Sequence, residues 1–155
     1  MKKKKFSTRL VRGGVNRSPF FETSETLYLT SGYVYKTAEE AEDAFKEKKK
    51  RFMYSRFGNP TIEMFQNKMS QIEEAETCWA TATGMSAVFT IFMSYLKKGD
   101  RVVSSNALFG SCHFIITKIL PNFGIDVELI NGTDLNQWES ALKKKTKLVF
   151  FETPS

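Results

Sequence analysis

Short apolar stretches alternate with helical stretches through the second half of the sequence. The stretches DRVVSS, IDVELI and TKLVFFE have the length and the apolar content of buried strands, and helical patterns lie between them. Parallel strands need long crossover connections, which helices usually supply. The sequence therefore predicts an α/β fold with a parallel sheet, and such sheets bind ligands at the carboxyl ends of their strands.

The helices of this half have recognisable ends. The stretch CWATATG is predicted to be a strand that turns at Gly84 into a helix over residues 85–98. A second helix is expected over residues 110–120, before a proline and a glycine. Asp134 and Gln137 resemble a capping box for a third helix.

The first third of the chain lacks this regularity. Residues 1–35 contain glycine and proline breakers, show no helical period and are rich in aromatic side chains, so we predict an extended arm that packs against another surface. A helix is expected over residues 37–50, with acids first and lysines last, as the helix dipole favours. Another is expected over residues 60–76, with Asn59 as its cap and Pro60 as its first residue.

The composition is that of a globular protein. The chain has 155 residues, of which 41% are hydrophobic and 26% charged, and its formal net charge is +6. The positive excess lies mainly in three runs, at residues 2–5, 48–51 and 143–145. Such runs can attract nucleic acid, but they are more often solvated ends of helices and strands. The sequence has no recognised nucleic-acid motif, so a nucleic-acid binder ranks last among the possible functions.

Other classes of site are disfavoured by what the sequence lacks. Cys78 and Cys112 form neither a disulfide framework nor a metal-binding spacing, so we expect no metal and a reducing compartment. The lysines at the amino terminus are not followed by the apolar core of a secretory signal. The longest apolar stretch, residues 85–96, is too short to span a bilayer. We therefore expect a cytoplasmic protein without a membrane partner.

The stretch TATGMSA, residues 81–87, is the first candidate binding site. Its glycine turn is expected to leave the backbone N–H groups of Gly84, Met85 and Ser86 at the amino terminus of a helix. Unpaired N–H groups and the helix dipole together favour a phosphate. Thr83 and Ser86 add hydroxyls, although many α/β proteins turn on a glycine without binding any ligand.

Two further stretches carry side chains suited to a flat anionic ligand. Phe109, in the loop of NALFGSCHF, can stack on a flat ring or anchor the loop in the core. His113, the only histidine, has no partner residue that would make it a catalytic base, and we assign it no role. In YSRFGNPT, the planar guanidinium of Arg56 and the hydroxyl of Tyr54 suit a phosphate.

The stretches YSRFGNPT, ATGMSA, ALFGSC and FFETPS occur in this order and resemble the Cys/Met-metabolism family of pyridoxal-phosphate (PLP) enzymes. That family includes cystathionine synthases and lyases, methionine γ-lyases and homoserine sulfhydrylases. The resemblance covers nearly all of residues 7–155. Phe109 makes the chain most similar to the O-succinylhomoserine sulfhydrylase group, because most other relatives have tyrosine there.

The resemblance implies a role for each candidate residue. Gly84 and Met85 would bind the PLP phosphate of their own subunit, and Phe109 would stack on the pyridine ring. Tyr54 and Arg56 would reach the phosphate of a neighbouring subunit, which implies a homo-oligomer, a dimer of dimers in the family. Residues 1–58 would form the arm and helix that contact that subunit.

The resemblance also implies that the sequence is truncated. Residues 59–155 would be the first part of a fold type I large domain, like that of aspartate aminotransferase. The Schiff-base lysine and the aspartate that pairs with the pyridine nitrogen have no counterpart here, so no catalytic residue is assigned. The chain alone is expected to be inactive and to expose apolar surface.

The implied reaction of the complete enzyme converts O-succinylhomoserine and sulfide to homocysteine and succinate. Another member of the family, a cystathionine γ-synthase or a lyase, remains an alternative. A non-catalytic chain that partners a complete subunit is a second alternative, of a different class.

Overall fold

The structure is a computed structural model that describes residues 5–155. The chain forms two compact units, one ending at Ala80 and the other spanning Thr81–Ser155. We describe each unit by itself. The predicted division into an arm of residues 1–58 and an α/β domain from residue 59 stays a prediction. Residues 2–4 of the first lysine run lie outside the described residues.

The first unit contains three helices: α1, Phe6–Arg12; α2, Ala38–Phe45; and α3, Pro60–Glu73. The prediction of no helix in residues 1–35 is wrong for α1, because contacts with α3 stabilise a helix too short to form alone. Arg9 donates to the backbone oxygen of Gln71 (2.6 Å) and pairs with Glu74 (3.0 Å). Polar contacts of this kind leave no hydrophobic pattern in the sequence, so the helix could not be predicted from periodicity.

A pair of glycines follows α1 and lets the backbone lie directly on α3. Gly14 has a φ of +69°, and a Cβ built there would lie 2.5 Å from the backbone nitrogen of Lys68. Only glycine satisfies both conditions. Between Gly14 and Thr37 the described chain has no helix or strand, as predicted for an extended arm.

The predicted starts of α2 and α3 are confirmed, and both predicted ends are too late. Thr37 caps α2, and the side chain of Asn59 accepts the N–H of Thr61 (2.8 Å) ahead of Pro60. Helix α2 ends before the lysines, where Glu47 has a φ of +56°. Helix α3 ends where Glu74 has a φ of +53°, and these left-handed residues terminate both helices.

The second unit is an α/β layer with a three-stranded parallel sheet, as predicted. Its strands are β1, Arg101–Ser105; β2, Asp126–Ile130; and β3, Leu148–Phe150, in the order β2-β1-β3. Helix α4, Gly84–Tyr95, precedes β1, and α7, Leu135–Leu142, connects β2 to β3. The connection from β1 to β2 comprises α5, Gly110–Phe114; a π-helical segment, Ile115–Ile119; and α6, Leu120–Asn122.

The strand predicted for CWATATG is absent, which corrects that part of the prediction. Residues 77–83 have neither helix nor strand in the structure. Apolar alternation marks a segment as suited to a sheet, but a strand exists only where a neighbouring strand accepts its hydrogen bonds. The strands of the described sheet pair with one another and not with this segment.

Strand β1 carries the core on both of its faces. Val102 packs with Phe92 of α4 and Leu120 of α6 on one face. Val103, next in sequence, packs with Ile130 of β2 and Ala141 of α7 on the other. Successive side chains of a strand point to opposite faces, so helices cover both sides of the sheet.

Arg101, at the start of β1, is a buried charge that joins three elements. Its side chain is 8% exposed and pairs with the carboxylate of Glu128 on β2. It also donates to the backbone oxygen of Ala141 on α7 (3.0 Å) and to the hydroxyl of Thr146 (2.5 Å) before β3. These partners compensate the desolvation of the guanidinium.

Within residues 5–155, no helix is long and apolar enough to cross a bilayer. In the same residues, no group of three or more histidine, cysteine, aspartate or glutamate side chains could hold a metal ion.

Gly132 permits close packing where β2 ends, and this generates a testable prediction. A Cβ at this position would lie 2.4 Å from the Oγ of buried Ser105. We expect Gly132→Ala to reduce the free energy of unfolding by about 1–3 kcal/mol, because the added methyl has no room. The measurement is urea unfolding followed by the fluorescence of Trp138, whose indole donates to the Gly132 oxygen (3.0 Å), in a Trp79→Phe background.

Gly110→Ala is the matched control, because a Cβ at Gly110 meets no atom within 4 Å. It should leave the unfolding midpoint unchanged. Equal stability of the Gly132→Ala and Gly110→Ala proteins would show that the end of β2 relaxes without cost.

Candidate functional site

The amino terminus of α4 presents an open pair of backbone donors. Thr83 adopts an extended conformation and caps the helix, and its Oγ1 accepts the N–H of Ser86 (3.0 Å). The prediction of three free N–H groups is therefore wrong for Ser86. Gly84 and Met85, the first two helical residues, keep N–H groups that have no acceptor within the helix.

The surroundings of this helix end favour an anion. A Cβ built on Gly84 meets no atom within 4 Å, so the space in front of the helix is open. The first turn carries no acidic side chain that would repel a negative charge. The Met85 side chain packs against the core, which fixes the direction of its N–H. A phosphate-sized anion therefore fits at this end of α4.

Phe109 lies in the loop after β1 and is the residue that precedes α5. Its side chain is 63% exposed, so it is not buried as a core anchor. The adjacent Leu108 performs that role and packs against the core cluster. An exposed aromatic ring held by an anchored loop is suited to stack on a flat ligand.

Glu152, just after β3, is bound to this loop. Its Oε2 accepts the N–H of Phe109 at 2.6 Å. Burial, together with a hydrogen bond to Glu152, raises the pKa of the Cys112 thiol to about 11, so the thiol is protonated at neutral pH. In the sequence, Glu152 is part of the stretch FFETPS, which gives no sign of this contact. No local pattern links residues 43 positions apart, and only the pairing of β1 with β3 brings them together.

A cleft of about 480 Å³ lies at the carboxyl edge of the sheet. Its lining includes Ser105 at the end of β1, Gly132 beyond β2, and Phe151 and Glu152 beyond β3. Strands β2 and β3 lie on opposite sides of β1, and all three parallel strands end at this edge. This is the location at which open α/β sheets bind their ligands.

Tyr54 and Arg56 belong to the first unit. The guanidinium carbon of Arg56 lies 4.9 Å from the centroid of the Tyr54 ring and 5.5 Å from that of Phe57. Both predicted residues are exposed. Among the described residues Arg56 forms no ion pair, so aromatic rings position it while its N–H donors remain available to an anion.

Hydrogen bonds fasten the loop that carries these two residues to the arm. Ser55 donates its N–H to the oxygen of Ser31 (2.8 Å). The amide nitrogen of Asn59 donates to the oxygen of Tyr28 and to the hydroxyl of Ser55, both at 2.9 Å. Asn59 is thus both the cap predicted from the sequence and a second attachment point that the sequence did not indicate.

The remaining candidates have ordinary surroundings. His113 is exposed on α5. Lys48 and Lys50 form loose ion pairs at 3.5 Å with side chains largely in solvent, and residues 143–145 are exposed. These lysines are solvated charges, as the sequence predicted. Arg51, the last residue of its run, is not: it pairs with Glu40 (2.6 Å) and lies over the Tyr35 ring.

The structure thus brings Gly84, Met85 and Phe109 into one unit, and Tyr54 and Arg56 into the other. Each group has a geometry suited to its expected role. Their assignment to a shared cofactor site stays a prediction.

Comparison with known proteins gives one consistent result. Residues 7–155 match the family model described as Cys/Met metabolism PLP-dependent enzyme. The chain is 50% identical, over 94% of its length, to an O-succinylhomoserine sulfhydrylase of Mycobacterium tuberculosis, of which it covers 36%. It is 31% identical, over 99% of its length, to an L-methionine gamma-lyase of Fusobacterium nucleatum, of which it covers 39%.

A solved structure agrees with this result. A putative O-acetylhomoserine (thiol)-lyase of Campylobacter jejuni matches 98% of the chain with a TM-score of 0.86 and 27% identity, and the chain covers 37% of it. That structure contains an N'-pyridoxyl-lysine-5'-monophosphate. The chain thus spans little more than a third of the length of these relatives and has the fold of a PLP-dependent fold type I enzyme over that part.

The family match extends over nearly the whole chain, and the fold agrees with that of the solved relative. Pyridoxal 5'-phosphate is the cofactor of that family. The chain belongs to the PLP-dependent enzymes of cysteine and methionine metabolism.

Proposed function

We propose that this chain forms the amino-terminal part of a PLP-dependent O-succinylhomoserine sulfhydrylase. The enzyme would replace the succinate of O-succinylhomoserine with sulfide and yield homocysteine and succinate. The observation that carries this proposal is the markedly higher identity to the M. tuberculosis sulfhydrylase than to the methionine γ-lyase. Phe109 supports the same subgroup.

The residues of the chain fit the cofactor. The open amino terminus of α4 suits its phosphate, and the exposed Phe109 ring suits one face of its pyridine ring. When bound, PLP supplies an electron sink for negative charge that develops on the substrate. Gly84 and Met85 would donate N–H groups to the phosphate, and Phe109 would orient the ring and exclude water from one face.

Phe109 also limits what this part of the enzyme can do. A phenyl ring has no hydroxyl and can neither donate nor accept a proton. Any proton transfer near this face must use another group. The lysine that holds the cofactor in the family has no counterpart among these residues, so we propose that the chain alone is inactive.

The first unit would serve a neighbouring subunit. Tyr54 and Arg56 would bind the phosphate of that subunit's cofactor, within a homo-oligomer that we place in the cytoplasm. Residues 1–58, the proposed arm and helix, carry apolar side chains that are almost fully exposed, among them Phe20 (90%) and Leu29 (93%). Such side chains suit a protein interface.

Product analysis tests the reaction. The assembled enzyme that contains this chain, given O-succinylhomoserine and sulfide, should form homocysteine and succinate in equal amounts. Release of methanethiol from methionine at a higher kcat/KM would assign the chain to the γ-lyases instead. Formation of cystathionine and succinate from O-succinylhomoserine and cysteine would assign it to the synthases, and absence of all three activities would favour a non-catalytic partner chain.

The phosphate site gives a specific prediction at Gly84. Gly84→Pro removes one N–H donor, while proline suits the first position of a helix and the extended Thr83 suits the position before proline. We expect the dissociation constant of PLP to rise about 10-fold or more, because a charge-assisted hydrogen bond is lost. Equilibrium dialysis of the assembled enzyme measures this constant.

Gly84→Ala is the matched control, because it keeps the N–H and adds only a methyl group to open space. Its dissociation constant should rise less than that of the proline variant, and the helical circular dichroism of both should match the wild type. Equal affinities of the wild-type and proline enzymes would exclude this helix end as the phosphate site.

Mixed oligomers test the proposed sharing of sites between subunits. Arg56→Ala should weaken PLP binding, since a guanidinium that pairs with a phosphate is lost. Co-expression of Arg56→Ala and Gly84→Pro subunits should restore part of the activity, because some sites then combine an intact Arg56 with an intact Gly84. Without restoration, Arg56 and Gly84 act within one subunit. Arg17→Ala, in the same arm, is the control and should retain PLP affinity.

A further inference from the structure

Helix α5 begins with a residue that is poorly suited to that position. Phe109 occupies the cap of α5 and has no side-chain oxygen to accept the first N–H groups. Serine, threonine, aspartate and asparagine are preferred there, as at Thr37, Asn59, Thr83 and Asp134, which cap α2, α3, α4 and α7. The start of α5 therefore needs its polar partner from elsewhere.

Glu152 makes one polar contact there from across the sheet: it accepts the N–H of the cap residue itself, as a glutamate at the third helical position does in a capping box. Strands β1 and β3 are parallel, and Ser104 lies opposite Phe150, so both strands end at the same edge. From the end of β3, the Glu152 carboxylate reaches back to the Phe109 N–H at 2.6 Å. The negative charge of Glu152 faces the positive end of the helical stretch of residues 110–122. This electrostatic attraction further stabilises the contact.

Cys112, the third residue of α5, reports on this helix start. The residue is 4% exposed, and burial together with the nearby Glu152 carboxylate raises the pKa of its thiol. Loosening of the helix start would therefore expose a thiol that the wild-type protein shields.

We propose that Glu152 is a positioning residue that fixes the Phe109 ring at the carboxyl edge of the sheet. It acts through the hydrogen bond that its carboxylate accepts from the Phe109 amide. This inference rests on the proposed function, since there the ring of Phe109 covers the pyridine ring of PLP. Glu152 itself touches neither substrate nor cofactor in this account.

Alkylation of Cys112 tests the attachment without the cofactor. In Glu152→Ala the thiol loses its carboxylate partner and the helix start loosens, so its reaction with iodoacetamide should accelerate by about 10-fold or more. Peptide mass spectrometry of the alkylated enzyme, assembled but stripped of cofactor, separates the rates of the two cysteines of this chain. Cys78 lies in the other unit and should react at the same rate in every variant.

Two further variants separate positioning from folding. Glu152→Gln keeps an oxygen that can accept the Phe109 N–H, so it should accelerate alkylation less than alanine does. Glu139→Gln, an exposed carboxylate on α7, is the matched control and should leave the Cys112 rate unchanged. If the Glu152→Ala protein unfolds, the test rests on the Cys112 alkylation rates of Glu152→Gln and Glu139→Gln.

The visible circular dichroism of bound PLP in the assembled enzyme tests the consequence for the ring. The Glu152→Ala enzyme should lose most of the induced signal while its affinity for inorganic phosphate is unchanged. An unaltered Cys112 rate, or an altered rate with an unaltered cofactor signal, would overturn the proposal. Absence of a cofactor signal in the wild-type enzyme would overturn the proposed function instead. The Cys112 alkylation rates would still decide whether Glu152 holds the loop of Phe109.

Discussion

The structure of the second unit depends on the complete burial of β1. This strand is hydrogen-bonded to a parallel neighbour on each side and covered by helices on each face. Val102 and Val103, which are fully buried, hold the two helical layers on opposite sides. Because all three strands run in one direction, their carboxyl ends share one edge, and the loop of Phe109 and the segment of Glu152 must meet there.

Sequence reasoning succeeded where a pattern is local. Alternating apolar stretches identified β1, β2 and β3, and cap residues located the starts of α3 and α7. It failed where long-range contacts decide the structure. Helix α1 depends on polar contacts with α3, and residues 77–83 have the composition of a strand without a strand to pair with.

The same division applies to the candidate site. Gly84, Met85 and Arg56 could be chosen from the sequence because helix ends and planar cations have local signatures. The capture of the Ser86 N–H by Thr83 is a local cap that the sequence permits. The contact of Glu152 with Phe109 depends instead on the strand order and has no local signature.

The start of α5 shows how this fold accommodates an exposed aromatic residue at a helix cap, where it weakens the helix locally. A cap residue with a polar side chain would stabilise the helix by about 1 kcal/mol, but it would not present an aromatic face. Glu152 does not replace that cap, but it accepts the N–H of Phe109 and adds a favourable charge at the helix end. The stabilising group thus comes from the segment after β3, a different element, and the position after β1 remains available for a ring.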